Sequence, residues 1–567
     1  MNESAEGTKV EWREWGPAAF EEAAAEDEPL LLSLSATWCS WCHEMDREAY
    51  SNPMVAANLN DSFVPVRVDI DRQPRVRERY NVGGFPSTVF ATPEGDLLTG
   101  ATYLGVDGMR QVVERVRDLW THKGRDAARI PRSLREEPPA GEVTPEIERL
   151  VAGQLDEKFD GDFGGWGDSQ KFPLPRTAEF ALKREREQAL ASLTAVGRHL
   201  FDEYDGGFFR FAEGRDWTEV HHEKLLSTNA ALVRAFANAY LVTGDEEYRD
   251  PAERTVEYLT TTLWNGEAFA GSQAPGEEIE DDRSVSRYYG LDPSDREAAD
   301  PPAVDSTAFA DWNAMAADAL LTLHAYTDDE RARTYAERSL EYVLSELVED
   351  GVPTHFREAS DEGDEAVGEE GLLADAAHLL SALTTARQVL GDDRYVDAAR
   401  EVADQAIENL QDETGAFVDG PREGPGLLSK PLRPLDDNAE MADALVDLAL
   451  LTGEGRYREA AEGAVGAFAG AADRFGVQVA GYATAAARVC DDPLVIAVAD
   501  DAGSDLHRAA LRMADHEKVV IPEAAGEIPG GDGDYEDECA YVIRNGESSA
   551  PARTPDELGE RVGESAE

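Results

Sequence analysis

Cysteine, lysine and long apolar runs are scarce in this chain of 567 residues. Four cysteines are too few to serve as a disulfide scaffold at this length, which excludes the disulfide-rich secreted class. No apolar run reaches the ~18 residues of a membrane span, so we expect no membrane partner. The first residues, MNESAEGTKVEW, lack a basic region followed by an apolar core, so no signal peptide is predicted. These absences predict a cytoplasmic protein.

Positive charge is also scarce, since 53 basic residues face 116 acidic ones and the net charge is −63. Only eight of the basic residues are lysine, and no basic patch is visible, so nucleic acid is excluded as a partner. An acidic surface of this density repels itself unless molar salt shortens the Debye length to about 3 Å. The composition therefore predicts a halophilic protein in a saline cytoplasm. Its 42% apolar content argues against a disordered acidic chain.

The cysteines that are present include a close pair, Cys39 and Cys42, in the stretch SLSATWCSWCHEM. A buried strand precedes the pair and a helical pattern follows it, so the first thiol is expected at a helix N-terminus. Unpaired backbone N–H groups and the helix dipole favour a thiolate there, and the thiolate is the form that attacks disulfides. The alternatives are a stapling disulfide or half of a zinc site. No second CxxC supplies further zinc ligands, and His43 is the one candidate nearby.

The order of elements around this pair resembles the thioredoxin fold over residues 10–122. Apolar runs with strand character and a closing helical pattern occur in the expected sequence, at 30–34, 63–70, 83–90 and 109–119. The resemblance implies that Pro86 has a cis bond and faces the sulfurs, and that Trp38 and Trp41 shape the rim of the site.

The pattern departs from thioredoxins at one buried position. Six residues before the first thiol, where thioredoxins carry an aspartate that relays protons, this chain has Ser33. A serine is not a general base near neutral pH, so His43 or Glu44 would have to substitute. The alternative is a degenerate pair of cysteines without activity.

After a charged, proline-bearing linker at 123–143, a helical pattern repeats about every 60 residues. Each unit has a polar start, an apolar helix, a turn, and a tyrosine that opens a second amphipathic helix. The tyrosines are Tyr248, Tyr335, Tyr395 and Tyr457. Solenoid repeats are shorter, about 34–47 residues, so the period favours a closed (α/α)6 barrel of six hairpins over an open solenoid.

The whole chain is thus predicted to be multidomain. The expected domains are an α/β thioredoxin-like domain at 1–122, an all-α barrel at 144–474 and a small α/β module at 475–567, whose first part would complete the sixth hairpin.

Inner helices of such a barrel bring their N-termini to one mouth, where acidic, imidazole and aromatic groups suit a polyol. A glycoside hydrolase would need two carboxylates about 5–5.5 Å apart for retention or 6.5–9.5 Å for inversion. Helix capping is the alternative role for the asparagines and aspartates. The predicted mouth residues are His221, His222, Glu223, Asn229, Asp311, Trp312, Asn313, Asp375, His378, Asp437 and Asn438.

The stretch GGWGDSQKFPLP (164–175) is interpreted as a tight loop over the barrel, with a place in the mouth as the alternative. Because no phosphate loop, dinucleotide fingerprint or metal cluster is visible, neither a cofactor nor a metal is predicted.

Four stretches together resemble the spermatogenesis-associated protein 20 family across nearly the whole chain: WCSWCHEMDREAYSNPMVA, GGWGDSQKFPLP, DGGFFRFAEGRDWTEVHHEKLLSTNA and DWNAMAADAL. The resemblance implies a thioredoxin-like domain fused to a six-hairpin barrel, in a haloarchaeal type of member, but supplies no reaction. Three functions remain open. The first is a thiol–disulfide oxidoreductase that uses Cys39 and Cys42 on a protein disulfide or a small thiol. The second is a glycoside hydrolase or sugar epimerase, and the third is a binding scaffold without activity.

Overall fold

The structure, a computed structural model, describes residues 8–565 except 277, 280–281, 360–364 and 527–533. The chain forms two compact units. The first runs from the N-terminus to Glu137 and adds the distant segment Asp419–Leu432; the second comprises Pro138–Val418 and the residues from Arg433 onward. The sequence placed 419–432 inside the barrel, and the structure packs this segment into the first unit instead. No helix in the described ranges combines the length and the apolar character needed to cross a membrane.

The first unit is a five-stranded mixed sheet flanked by helices. The strand order is β1-β3-β2-β4-β5, in which β1, β3 and β2 are parallel and β4 and β5 antiparallel to their neighbours. The strands are β1 (Arg13–Glu14), β2 (Leu30–Ser35), β3 (Val64–Asp69), β4 (Ser87–Ala91) and β5 (Leu97–Ala101). The helices are α1 (Pro17–Glu26), α2 (Ser40–Met45), α3 (Pro53–Ser62), α4 (Pro74–Tyr80) and α5 (Val106–Lys123), and α2 continues as a π-helical turn, Asp46–Tyr50. This is the predicted thioredoxin-like topology.

The added segment is fixed to the first unit by a buried ion cluster. Asp419 accepts hydrogen bonds from Arg79 and Arg75, whose side chains are buried. The Tyr80 hydroxyl accepts the backbone N–H of Leu427 at 3.1 Å. The segment is therefore a structural part of the thioredoxin-like unit, although in the sequence it lies within the barrel region.

Twelve of the described helices in the second unit build the barrel. In chain order they are α6 (Glu146–Lys158), α7 (Pro175–Arg184), α8 (Arg186–His199), α9 (Leu226–Thr243), α10 (Glu246–Tyr258), α12 (Ala310–Thr327), α13 (Glu330–Tyr342), α14 (Leu373–Leu390), α15 (Asp393–Leu410), α16 (Leu435–Thr452), α17 (Gly455–Gly466) and α18 (Ala480–Cys490), with the short α11 (Pro293–Arg296) in a loop. The inner ring is α7, α9, α12, α14, α16 and α18, each packed on the next, and α18 closes on α7. The chain's first barrel helix, α6, is the outer partner of α18. The barrel therefore extends to 490, beyond the boundary of 474 that the sequence suggested.

A small α/β module follows α18. Its sheet has the order β19-β18-β20-β21, from β18 (Val495–Ala499), β19 (Val519–Pro522), β20 (Cys539–Arg544) and β21 (Glu547–Ser548), with helices α19 (Asp505–Leu511) and α20 (Pro555–Ser565). The module covers the C-terminal end of the inner helices, because the backbone N–H of Val520 donates to Gln388 Oε1 near the end of α14.

The loops with short strands lie before the inner helices, at the opposite end of the barrel. These strands are β6 (Phe211–Ala212), β7 (Val220–His221), β8 (Lys224–Leu225), β9 (Ser272–Gln273), β10 (Glu278–Ile279), β11 (Asp282–Ser286), β12 (Val304–Asp305), β13 (Ala308–Phe309), β14 (Val348–Glu349), β15 (Val352–Pro353), β16 (Phe356–Ala359) and β17 (Glu365–Val367).

In each of three barrel loops, an aspartate is paired with a cationic side chain, which is buried in two of the three. Asp160, Asp202 and Asp412 each accept a backbone N–H two residues further on. The partner cations are Lys171 at 2.9 Å, Lys224 at 2.7 Å and Arg433 at 2.5 Å. Because Lys171 binds Asp160, we interpret the stretch 164–175 as a structural loop of the barrel.

Candidate functional site

The vicinal cysteines lie where β2 gives way to α2. Cys39 and Cys42 form a disulfide and are 5% and 3% exposed. Cys39 is the N-cap residue of α2, and its Sγ accepts the backbone N–H of Cys42 at 3.2 Å. In the reduced protein the same donor would stabilise a thiolate on Cys39, because hydrogen bonds to an anion are stronger than those to a neutral group.

Pro86 lies at the same edge of the sheet as the cysteines. The Phe85–Pro86 bond is cis, and β4 begins at the next residue. Because β4 runs antiparallel to β2 with Ser87 opposite Leu34, the start of β4 and the end of β2 are neighbours. The register therefore brings Pro86 to the edge from which the CxxC loop leaves.

Two aromatic side chains frame this loop. The buried Trp38 indole donates to Asp71 Oδ2 at 2.7 Å. Trp41 packs edge-on against Tyr103 with ring centroids 5.2 Å apart. The hydrogen bond to Asp71 fixes the orientation of the residue just before Cys39.

Ser33 occupies the position of the thioredoxin aspartate, and its environment is neutral. Its hydroxyl is buried and accepts a hydrogen bond from Tyr50 at 3.3 Å. Burial raises the pKa of Tyr50, so its phenol keeps its proton and cannot act as a base near neutral pH. Ser33 and Tyr50 therefore supply no carboxylate that could accept a proton beneath the cysteines.

His43 is the titratable neighbour of Cys42. Burial lowers the pKa of its imidazole, which therefore remains neutral and able to accept a proton at neutral pH. One turn further along the helix, Asp46 is buried and held by a bidentate contact from Arg67, at 2.9 and 2.5 Å. Because Arg67 occupies both oxygens of that carboxylate, His43 is the better candidate for proton transfer.

At the barrel mouth, three of the predicted residues serve the fold. Each side-chain amide lies in the first turn of an inner helix and is buried. It accepts the backbone N–H of a phenylalanine in the preceding loop and donates to the carbonyl of the same phenylalanine. The pairs are Asn229 with Phe208, Asn313 with Phe269, and Asn438 with Phe417. These bonds account for the asparagines without a ligand.

We call this set of hydrogen bonds between an asparagine side chain and a phenylalanine backbone the asparagine clamp. The repeat that begins with α14 lacks both partners of the clamp. At the corresponding loop position it has Pro353, which has no backbone N–H to donate, and at the corresponding helix position it has Ala376. The backbone N–H of the loop and the side-chain amide of the helix are both absent at these positions, so neither group is buried without the other. The loop and the helix start of this repeat also carry His355 and Asp375, which lie close to Asp311 of α12.

His221 and Glu223 belong to a separate charged group on the loop before α9. His221 Nε2 lies 3.1 Å from Glu213, and Glu223 accepts from Arg210 at 3.0 Å. Burial lowers the pKa of His221, but the hydrogen bond to Glu223 together with the charges of Glu223 and Glu213 makes the net shift upward. His222 is stacked on Tyr289, and burial lowers the pKa of its ring to about 4. His222 is therefore a neutral packing residue at neutral pH.

A second cluster joins two inner helices. Asp311 begins α12 and Asp375 begins α14, and between them lies His355, whose Nδ1 is 2.9 Å from Asp375 Oδ1 and 4.0 Å from Asp311 Oδ1. Burial and the charge of Asp375 raise the pKa of Asp311, and His355 and then His378 oppose the shift. Asp311 therefore carries a proton more readily than an ordinary carboxyl.

Sequence reasoning missed His355. It lies in the stretch VPTHF, outside any helical pattern, and its carbonyl accepts the first N–H of α12, from Ala310. The signal that could have found it is its place two residues after Pro353, where the repeat departs from the others. Of the remaining predicted residues, Trp312 donates its backbone N–H to Asp311, and Asp437 lies in the first turn of α16.

The barrel axis holds a cavity of about 130 Å³ lined by ion pairs. Arg234 bridges Glu179 and Asp318, and Arg488 bridges Asp443 and Asp447. Since each charged group named here has a partner of opposite charge, the cavity is explained by the packing of the inner helices around a polar axis.

The chain therefore belongs to the class of multidomain proteins that combine a thioredoxin-like unit with an (α/α)6 barrel. Here the two CxxC cysteines form a disulfide, and a small α/β module packs on the barrel. The sequence profile of the Thioredox_DsbH family, described as protein of unknown function DUF255, matches residues 3–137. Spermatogenesis-associated protein 20 of Homo sapiens is 29% identical over 295 residues, which cover 45% of this chain and 37% of the human protein. The chain is similar to the spermatogenesis-associated protein 20 relatives of human, rat and mouse, and it matches less than half of their length.

Two further similarities concern the separate units. Thioredoxin-1 of Drosophila melanogaster is 32% identical over 84 residues, which cover 15% of this chain and 73% of that protein. Cellobiose 2-epimerase from Spirochaeta thermophila is 18% identical, with a TM-score of 0.43, and covers 56% of this chain and 83% of its own. A TM-score of this size is too low to support an inference about function.

Proposed function

We propose that the protein is a thiol–disulfide oxidoreductase in which Cys39 is the attacking thiolate and Cys42 the resolving thiol. The observation that carries the proposal is the hydrogen bond from the Cys42 backbone N–H to Cys39 Sγ at the start of a helix. The match of this unit to a thioredoxin adds support.

The reaction balances over two exchanges. The thiolate of Cys39 attacks one sulfur of a substrate disulfide, forms a mixed disulfide and expels the other sulfur as a thiolate. Cys42 then loses its proton to His43 and attacks Cys39 Sγ, which releases the second substrate thiol. The protein ends with the Cys39–Cys42 bond, and the substrate has gained two electrons. We place this reaction in a saline, reducing cytoplasm, where a disulfide or a small thiol is the partner.

The direct test is reduction of insulin by the full-length protein in molar KCl with dithiothreitol as electron source. We expect Cys39→Ser to abolish the rate above background. Cys490→Ser is the matched control, because Cys490 is exposed but lies at the end of α18 in the barrel, and it should retain the wild-type rate. Equal rates for wild type and Cys39→Ser would exclude the proposal.

A trapping experiment separates the two sulfurs. With Cys42→Ser, the mixed disulfide between Cys39 and a substrate cannot be resolved, so it should accumulate on a non-reducing gel and disappear with reductant. Cys39→Ser should trap none. A protein that neither reduces insulin nor traps a partner would instead fit a binding scaffold.

A carbohydrate reaction in the barrel is the second candidate. It is favoured by the oxygens of Asp311 and Asp375, which lie within 4.8 Å of each other, close to the ~5 Å separation of retaining glycosidases. Both residues are largely buried, so a substrate would have to displace the surrounding loops. Crystals soaked with mono- and disaccharides should show sugar density beside Trp312 if this candidate is correct, and a mouth without sugar would exclude it.

A further inference from the structure

Three residues at the barrel mouth bring metal-binding atoms close together. Asp311 is the second residue of α12, Asp375 the third residue of α14, and His355 lies between β15 and β16. One ligand atom from each lies within 4.8 Å of the other two. The three come from separate elements, and the packing of α12 against α14 brings them together.

The distances suit a single ion. Donor atoms bound to one ion at about 2.0–2.2 Å can be no more than about 4.4 Å apart. His355 Nδ1 is 2.9 Å from Asp375 Oδ1 and 4.0 Å from Asp311 Oδ1, both within that limit. The two carboxylates need at most a small side-chain rotation to meet it.

An independent observation also points to a ligand. Asp375 is 0% exposed, and its Oδ2 has no hydrogen-bond partner in the part of the chain that the structure describes. The other oxygen of the same carboxylate contacts His355 Nδ1 and the backbone N–H of Asp311, so Asp375 is in contact with both other members of the cluster. A buried carboxylate oxygen without a hydrogen-bond donor destabilises the folded protein, and a coordinated cation removes that cost.

We propose that Asp311, His355 and Asp375 bind one divalent first-row transition ion. One imidazole nitrogen with two carboxylates suits Zn²⁺, Mn²⁺ or Fe²⁺, since softer sites use thiolates and Mg²⁺ and Ca²⁺ sites use oxygen alone. Three protein ligands leave coordination positions for water or a small ligand. The site is independent of the chemistry at Cys39 and Cys42.

The surrounding backbone orients both carboxylates. The N–H of Asp311 donates to Asp375 Oδ1 at 3.3 Å, and the N–H of Trp312 donates to Asp311 Oδ1 at 2.8 Å. Hydrogen bonds of this kind commonly fix metal ligands from outside the first coordination sphere. The two helix starts thus hold the oxygens in place before an ion arrives.

The first test is calorimetric titration of the full-length protein, stripped with a chelator, with Zn²⁺ and then Mn²⁺. It is run in molar KCl with excess Mg²⁺, because a chain of net charge −63 attracts cations everywhere. We expect one tight site in the wild type and its loss in Asp375→Asn. Asp437→Asn is the matched control, since Asp437 is the third residue of α16 as Asp375 is of α14, and it should keep the site.

Crystallography supplies the second readout. Crystals grown with Zn²⁺ should give an anomalous peak among the three side chains in the wild type and none in Asp375→Asn. His355→Gln, a second variant at an uncharged position, guards against a folding defect and should bind at least tenfold more weakly. Equal binding by wild type and Asp375→Asn, or a wild type without the peak, would overturn the proposal and leave His355 as a simple ion-pair partner.

Discussion

At the scale of the residue, we expect Ser33 to limit the rate of thiol–disulfide exchange, because it stands where thioredoxins have a proton-accepting aspartate. The hydroxyl is paired with the protonated Tyr50, so no carboxylate lies below the cysteines at that point. A thiolate must still be generated on Cys42 in the second exchange. The proton must therefore leave by way of His43 or solvent, and each route is slower than a positioned carboxylate.

We therefore expect Ser33→Asp to raise the rate of insulin reduction roughly tenfold, less than the ~10²–10⁴-fold of a fully positioned general base, because the introduced carboxyl has no evolved surroundings. Burial will raise the pKa of the new carboxyl, so the gain should appear on the alkaline side of neutrality. A loss of stability of about 1–3 kcal/mol should accompany it, because a polar group is buried without a designed partner. The rate in stopped assays and the denaturant midpoint measure the two effects.

Ser33→Asn is the control for this change, since it has nearly the same shape and cannot take up a proton. If the two variants reduce insulin equally fast, proton transfer at this position is not limiting.

At the scale of the element, the asparagine clamp joins each of three inner helices to the loop before it. The Asn313 side chain makes four buried hydrogen bonds: it accepts from the N–H of Phe269 and the hydroxyl of Ser339, and it donates to two backbone carbonyls. Asn313→Ala leaves these backbone groups unpaired, so we expect a loss of about 2–4 kcal/mol in unfolding free energy. Urea denaturation of the full-length protein in high salt measures it.

Ala376→Asn tests the same idea in the opposite sense. The facing Pro353 cannot donate, so a new amide should add no stability. If this substitution stabilises the protein as much as Asn313→Ala destabilises it, the clamp is not the cause.

The sequence predicted the elements of both units well because their hydrophobic periods are strong. The strand, turn and helix order of residues 10–122 and the repeated tyrosines were enough to indicate a thioredoxin-like unit and a barrel. The clamps and the cluster at His355 could not be predicted, since they depend on which loop faces which helix. Asp311 and Asp375 are 64 positions apart, and no local pattern joins them.

The segment Asp419–Leu432 was also missed, for a different physical reason. Its residues, DGPREGPGLLSKPL, look like an ordinary loop between barrel helices. What places it in the other unit is the buried contact between Asp419 and two arginines of α4, and an ion pair between distant residues has no signature in either stretch alone.

We expect Asp419→Asn to loosen the thioredoxin-like unit although the position lies within the barrel sequence. The substitution removes the carboxylate charge that Arg75 and Arg79 share in this buried cluster, and breaking a buried ion pair costs about 3–5 kcal/mol. Hydrogen exchange measured by mass spectrometry should show faster exchange in Pro74–Tyr80. The matched control is Asp412→Asn, which breaks the pair with Arg433 in the second unit and should leave Pro74–Tyr80 unchanged.

At the scale of the whole molecule, we expect the net charge of −63 to be the dominant constraint on stability. Acidic groups cover the surface, whereas the ion pairs that hold each unit together are largely buried, as at Asp419 and along the barrel axis. Salt therefore acts on the two kinds of charge differently. It screens repulsion between exposed carboxylates strongly and reaches the buried pairs weakly.

Raising KCl from 0.1 to 2 M should consequently increase the melting temperature by many degrees. The Debye length falls from about 10 Å to below 3 Å over this range, so most of the gain should come below 1 M. Sucrose at matched osmolality is the control, because it stabilises by exclusion and leaves charge repulsion intact. A melting temperature that is flat in KCl, or that rises equally in sucrose, would show that surface repulsion does not set the stability of this protein.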